Sequence, residues 1–295
     1  MNPIKKNTPQ LISAPAASIR KYLAAGCLVL ISTSSFAQSG FDFGIKGFVG
    51  TSSLLNSNDQ AAGPELDYKN SIKLAGGISG GYNFNKRMGI ELNVLYAKQG
   101  QGYKGEVSQI TPSGYGIVIL SQAFQSFAYA NNMSFTGNYT ADMSTTCLKI
   151  PLLFRYTGDN TKSVYFSSFI GPQLDLLSAV DMQVNGKTIS PSNYNIKAED
   201  LYKKTTVDAV LGLGVGINLP SNLVLSAHLR LDYGLGDAEN KSETTTAFGV
   251  PEKVYSGARA ATNNATGGLL ISLNYKLVKK AQPKGKAHSD QKSKK

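Results

Sequence analysis

The sequence predicts an all-β protein, an eight-stranded antiparallel up-and-down transmembrane β-barrel with long extracellular loops and short periplasmic turns. Two patterns favour this fold class. Apolar and polar residues alternate with a period of two in eight segments, and the connections between those segments are alternately long and short. Composition agrees, because charged residues make up only 17% of the chain, below the ~25% of soluble domains. No apolar run approaches the ~20 residues that a membrane-spanning helix needs.

The first 37 residues predict an export signal. Arg20-Lys21 precedes an apolar stretch at 22–31, and the small residues Ser35 and Ala37 follow it. We therefore expect a signal peptide over residues 1–37, cleaved after Ala37.

The two cysteines bear on this interpretation. A lipoprotein signal with an acylated Cys27 is the alternative, but the apolar run continues past that cysteine, whereas a lipoprotein cysteine follows the run. Cleavage after Ala37 leaves Cys147 alone, so no internal disulfide can form. We expect Cys147 to be a small packing residue in a strand.

Alternation locates the strands in order. The third segment has the clearest pattern, with Ile90, Leu92 and Val94 alternating with Glu91 and Asn93. The pattern of the first segment is weak because glycines break it. The fifth segment has apolar residues at both odd and even positions, so its outward face is hard to assign. We expect strands over residues 41–50, 72–84, 88–99, 146–156, 162–175, 206–218, 223–235 and 266–277.

The connections set the orientation of the barrel. Long connections of about 21, 46, 30 and 28 residues alternate with short turns at 85–87, 158–161 and 220–221. In membrane barrels the short turns are periplasmic, and an even strand count places both chain ends on that side. The long loop 100–145 contains apolar segments, which are rarely exposed without a use. We therefore expect the loop to extend a strand or to cover the mouth of the barrel, and a ligand contact is the less favoured alternative.

A soluble lipocalin-like barrel also alternates, with its apolar face inward. Three features argue against it. The polar parity is rich in Gly, Ser and Asn and carries few charges, whereas a water-facing exterior carries more Lys and Glu. The charges that do occur have both signs, as expected in a closed interior. Tyrosines cap the apolar parity where an aromatic girdle is expected, at Tyr82, Tyr96, Tyr156, Tyr233 and Tyr275.

The positive charge lies at the two ends of the chain. The formal net charge is +11, of which residues 1–37 carry +4 and residues 278–295 carry +6, leaving +1 for residues 38–277. The expected barrel domain, 38–277, thus lacks the basic stripe of a nucleic-acid-binding surface. We expect the Lys-rich tail, 278–295, to be disordered in the periplasm. Contact with anionic cell-wall polymer or with the lipid surface is its alternative role.

Short motifs resemble a known family. Residues Leu148–Tyr156 read LKIPLLFRY, Gly80–Phe84 leads into Ile90-Glu91-Leu92, and Gly171-Pro172 lies in the fifth segment. In order and spacing, over roughly residues 41–277, they resemble the PorT-like outer-membrane β-barrel family of Bacteroidota.

This resemblance implies an eight-stranded barrel in the outer membrane of a Gram-negative bacterium. It also implies a link to secretion, since the founding member is implicated in protein export, although most relatives have no assigned activity. The partners expected are outer-membrane lipid and a secretion or cell-envelope protein. The last segment, 266–277, resembles the terminal signal read by barrel-assembly machinery during biogenesis. The Lys-rich extension departs from the family pattern.

Charged residues on the polar parity form the candidate site. Eight strands leave an interior just wide enough for side chains to fill. We favour a salt-bridged plug, because an unpaired buried charge is costly; a polar path or a small catalytic site is the alternative. The residues expected to point inward are Glu91, Lys149, Arg155, Asp208, His228, Arg230, Asp232 and Lys276.

Two further motifs are weaker. Ser226 and Asp232 share a face with His228, and a Ser-His-acid set can activate a nucleophile, but neighbours on one strand do not by themselves give that geometry. The run Gly212-x-Gly214-x-Gly216 resembles a phosphate-binding loop without the following helix, so we favour small residues on the inner face. No spaced His/Cys cluster predicts a metal.

The sequence therefore predicts a non-enzymatic outer-membrane barrel with a structural or interaction role, no catalytic residues and no cofactor. A narrow pore for small solutes or ions and a lumenal hydrolase remain the alternatives.

Overall fold

The structure is a computed structural model. It describes residues 40–61, 67–69, 71–107, 137–184, 187–189, 198–242, 244–247, 250–253 and 259–277. The expected signal peptide, the Lys-rich tail and residues 108–136 of the long loop lie outside these ranges.

Eight strands form one closed antiparallel barrel. Each pairs with its neighbours in sequence, and the first pairs with the last, so that Phe43 lies opposite Tyr275 and Val49 opposite Leu269. Closure leaves no open edge with unpaired backbone groups in lipid. The predicted fold class is thereby confirmed. The strands are β1 (Gly40–Leu55), β2 (Ile72–Asn83), β3 (Met88–Val107), β4 (Gly137–Thr157), β5 (Val164–Val184), β6 (Thr205–Asn218), β7 (Leu223–Gly234) and β8 (Asn263–Lys276).

Four strands are clearly longer than the sequence predicted, including β1, which has 16 residues and continues past the expected end at Gly50 to Leu55. β3, β4 and β5 have 20, 21 and 21 residues, against 12 in β2 and in β7. They continue past the apolar alternation, so residues 100–107 and 137–145 of the long loop are strand. Several side chains here are buried, among them Gln101, Tyr103 and Met143, and the apolar–polar alternation that marks a membrane strand is lost.

Short strands and helical turns lie at the outer end of the barrel. The segment Asp67–Lys69 pairs with β3 and Lys187–Ile189 with β5. Thr244–Ala247 pairs with Val250–Lys253 in a separate hairpin. A one-turn helix, α1 (Ser57–Ala61), follows β1, and a 3₁₀ turn spans Ala198–Leu201. Among the described residues, no helix has the length and apolar character needed to cross a membrane.

The side chains divide into two faces. Apolar residues point outward and are exposed, for instance Ile72 at 76%, Leu229 at 69% and Tyr96 at 60%. Polar residues on the opposite parity are buried in the lumen, for instance Asp208 at 0% and Arg230 at 2%. This apolar-out, polar-in arrangement is that of a membrane barrel.

Candidate functional site in the barrel lumen

A charged cluster, the inner network, lies nearer the periplasmic end and consists of Asp42, Lys46, Glu91 and Arg155. Lys46 Nζ donates to Glu91 Oε1 at 2.6 Å. Arg155 joins the two carboxylates, with Nη2 2.6 Å from Asp42 Oδ2 and Nη1 2.9 Å from Glu91 Oε2. Two cations thus face two anions, and the network is balanced in charge.

The local sequence explains why these groups meet. On β1, Asp42 and Lys46 point inward because Phe43 and Ile45 between them point to lipid. Gly81 makes room for the guanidinium, since a Cβ there would lie 2.5 Å from Arg155 Nη2.

A second cluster, the outer network, lies farther along the strands and consists of Lys149, Asp175, Asp208, Arg230 and Asp232. Lys149 Nζ lies 3.2 Å from Asp175 Oδ2, 3.2 Å from Asp232 Oδ2 and 3.7 Å from Asp208 Oδ2. Arg230 Nε donates to Asp232 Oδ1 at 2.7 Å. Two cations therefore face three carboxyl groups.

A neutral amide, Gln173, ties this network together. Its Oε1 accepts from Arg230 Nη2, and its Nε2 donates to Asp208 Oδ2 at 3.2 Å. The network thus spans β4, β5, β6 and β7.

An apolar layer separates the two networks. Along β4, Leu153 lies between Arg155 and Lys149 and is completely buried. Gly212 on β6 faces the ring of Phe169, and any Cβ at that position would overlap the ring. Gly216 likewise faces the ring of Tyr165, so these two glycines of β6 accommodate large lumenal side chains. The layer consists of Phe48, Leu153, Phe169, Val210 and Leu270.

The outer mouth carries a further ion-pair cluster, the mouth clamp, formed by Asp59, Glu239 and Arg259. Arg259 Nη1 donates to Asp59 Oδ1 at 2.8 Å, and Arg259 Nε donates to Glu239 Oε2 at 2.7 Å. Burial lowers the pKa of Arg259, but hydrogen bonds to Glu239 and Asp59 outweigh it and raise that pKa above its usual range. The guanidinium stays charged and holds α1 against the loops that follow β7.

Backbone hydrogen bonds extend this cap. Lys203 N donates to Ala238 O at 2.9 Å and Asn240 N to Leu201 O at 2.9 Å, which joins the segment before β6 to the loop after β7. Tyr202 is buried beneath them and donates its hydroxyl to Met143 Sδ on β4. Together with α1, which Arg259 binds through Asp59, three outer connections are therefore joined at the mouth.

Sequence comparison identifies the family. The family model described as "Outer membrane protein beta-barrel domain" matches residues 36–240. The chain belongs to this family. It is an outer-membrane β-barrel protein of the small eight-stranded type. No curated protein sequence matches it at a significant level.

Several solved structures are similar to this outer-membrane barrel protein. Neisserial surface protein A is 14% identical with a TM-score of 0.38, and the match covers 82% of this chain and 99% of that one. OprG from Pseudomonas aeruginosa is 10% identical with a TM-score of 0.38, covering 81% and 95%. The outer-membrane protease OmpT from Escherichia coli is 10% identical with a TM-score of 0.34, covering 82% and 98%. Similarities at this level bear neither on activity nor on binding.

The barrel protein brings most of the predicted inward residues together. Glu91 and Arg155 lie in the inner network, and Lys149, Asp208, Arg230 and Asp232 in the outer one. Lys276 joins neither. It is half-buried at the periplasmic end, where its Nζ lies 3.3 Å from Asn218 Oδ1 and 5.6 Å from the centroid of the Tyr165 ring.

His228 lies in the apolar layer, with its ring centroid 5.0 Å from that of Phe169. In the described part of the chain neither ring nitrogen has a hydrogen-bond partner. Ser226 Oγ lies 2.6 Å from Ser272 Oγ, and Asp232 pairs with Arg230 and Lys149. The Ser-His-acid set is therefore not assembled. No group of His, Cys, Asp or Glu in the described ranges is placed to hold a metal ion.

Sequence reasoning missed several members of these clusters. Asp42 and Lys46 lie on the glycine-broken β1, where their alternation with Phe41, Phe43 and Ile45 was the available signal. Asp175 lies on β5, whose apolar residues on both parities hid the inward face. The mouth clamp joins residues 200 positions apart and left no local signal.

Proposed function

We propose that this outer-membrane protein is a non-enzymatic barrel closed to solutes, and that its outer loops carry a structural or interaction role. The observation that supports the proposal is the filled lumen, in which an apolar layer lies between two networks of buried ion pairs. A permeating ion would have to separate buried charge pairs, and breaking one such pair costs about 3–5 kcal/mol. The mouth clamp adds an ordered cap above the lumen.

Planar-bilayer recording tests this proposal. The wild-type barrel should give no reproducible single-channel steps. A Phe48→Ala/Phe169→Ala variant, which removes two rings from the apolar layer, should conduct if that layer is the seal. Steps in the wild type that disappear on changing Arg155 or Arg230 would instead establish a narrow pore for small solutes or ions. A lumenal hydrolase would act on lipid or peptide substrates and lose activity in His228→Ala.

We also propose a finer assignment to the PorT-like barrels of Bacteroidota. It rests on the motifs at Leu148–Tyr156 and Gly80–Phe84. The signal peptide over 1–37 and the secretion or cell-envelope partner belong to the same proposal. The protein should be purified from native outer membrane. A mature chain beginning at Gln38, with an envelope or secretion protein co-purifying in fixed ratio, is the expected result. An unprocessed N-terminus or a barrel recovered alone would contradict it.

A further inference from the structure

The two lumenal networks differ in charge balance. The inner network has two cations and two carboxylates. The outer network has Lys149 and Arg230 against three aspartates, and all five side chains are at most 4% exposed. If every group were ionised, the outer network would hold one uncompensated negative charge away from water. Such a charge is costly, and a buried group avoids the cost by becoming neutral.

No other cation of the described lumen supplies the missing charge. Lys46 is engaged by Glu91 in the inner network. Lys73 on β2 is buried, and among the described residues it makes no ion pair with an aspartate of the outer network. A bound metal is not favoured either, because no group of ligands in the described residues has the placement of a metal site.

The hydrogen bonds indicate where the neutral group lies. Asp232 accepts from both Arg230 and Lys149. Asp208 Oδ1 is buried and has no hydrogen-bond partner, and neither oxygen of Asp175 receives a hydrogen bond. Asp208 lies opposite Gln173 in the pairing of β5 and β6. It is therefore the diagonal neighbour of Asp175 on the inward face.

We propose that the outer network is a proton-binding site, in which Asp208, fully buried and the farthest of the three aspartates from Lys149 Nζ, is a carboxylic acid at neutral pH. The proton makes the network neutral, with Asp232 and one further carboxylate facing Lys149 and Arg230. The groups facing Asp175 and Asp208 are Lys149 and Cys147 on β4, Gln173 on β5, and Arg230 and Asp232 on β7. Because the folded barrel holds a proton that the unfolded chain releases, stability should fall as the pH rises above the ~3.9 of an unfolded aspartate, until the folded site also loses its proton.

Infrared spectroscopy of the full-length protein in lipid at neutral pH tests the site. The wild type should show the carbonyl stretch of a protonated carboxylic acid. Asp208→Asn leaves two cations and two carboxylates, and it should lose this band while retaining the heat-modifiable mobility of a folded barrel. Asp175→Asn is the second variant with the same expectation. Asp42→Asn makes the same exchange in the balanced inner network and should keep the band.

The outcomes distinguish a bound proton from a bound cation. A wild type without the band, or a band that persists in both Asp208→Asn and Asp175→Asn, overturns the proposal. A band that appears only after sodium is replaced by choline would show that the outer network normally binds a monovalent cation instead of a proton. That result would also overturn the proposal. Conductance does not enter the measurement, so the result is independent of whether the barrel is a pore.

Discussion

The inner and outer networks lie in one lumen and differ mainly in their charge count. In the inner network Arg155 bridges two carboxylates, and Lys46 completes the balance. In the outer network three aspartates surround a single ammonium, and Arg230 engages only one of them. Apart from Arg155, whose side chain is 14% exposed, the charged side chains of both networks are at most 4% exposed. We therefore expect the charge that remains in each network after a substitution to set its effect on stability.

Removal of Arg155 should have the largest effect. Arg155→Ala leaves Asp42 and Glu91 with only Lys46, and the loss of one partner from a buried pair costs about 3–5 kcal/mol. Urea unfolding of the barrel in lipid vesicles measures the change. The control is Arg87→Ala, in the exposed turn after β2, which should change stability by less than about 0.5 kcal/mol. Equal effects at the two positions would show that the inner network adds nothing to stability.

The lipid face provides the next comparison. Leu229 points outward beside the inward His228 and Arg230, and Leu229→Arg should cost roughly 2–4 kcal/mol if the position lies near the bilayer midplane. Leu229→Ser should be milder because it adds no charge to lipid. The same unfolding assay serves for both. Full tolerance of the arginine would reverse the assignment of the inward and outward faces.

Alanine substitutions at two glycines compare the apolar layer with the lipid face, and we expect smaller effects on stability than for the charged substitutions. Gly212→Ala places a methyl group against the Phe169 ring, and overpacking of this kind costs about 1–3 kcal/mol. Gly47→Ala points into open space and should stay within about 0.5 kcal/mol of the wild type. If Gly212→Ala is equally neutral, the layer is loose enough to rearrange and the seal proposed for the lumen is weakened.

The mouth clamp should matter least for the barrel itself. Arg259→Ala leaves the buried carboxylates of Asp59 and Glu239 unpaired at the mouth, outside the paired strands. Because the mouth can open locally while the strands stay paired, the cost should appear as local opening, and the unfolding midpoint of the barrel should shift little. Protease added to intact cells should nevertheless cut more rapidly within 56–61 or 237–262. A Lys204→Ala variant, which removes an exposed ion pair with Asp200, serves as the control. Unchanged cleavage in Arg259→Ala would mean that the cap does not depend on the clamp.

The strand number, the strand order and the inward or outward direction of side chains in the clearly alternating strands could be predicted from the sequence, whereas the inward face of β5 could not. These follow from alternation, because a strand between lipid and a polar lumen must place apolar side chains on one parity. Residues such as Leu229 and Asp232 could be assigned in this way. The extra length of β3, β4 and β5 could not, because several side chains there are buried and the apolar–polar alternation is lost.

Which charges meet depends on the closed barrel and could not be predicted from alternation. Lys149 on β4 reaches Asp232 on β7 because closure and strand tilt bring non-neighbouring strands to one level of the lumen. Parity places both side chains inward but does not fix that level. The same holds for Arg259, which meets Asp59 across 200 residues. Local periodicity encodes the direction of a side chain, whereas the register of the closed barrel encodes its partners.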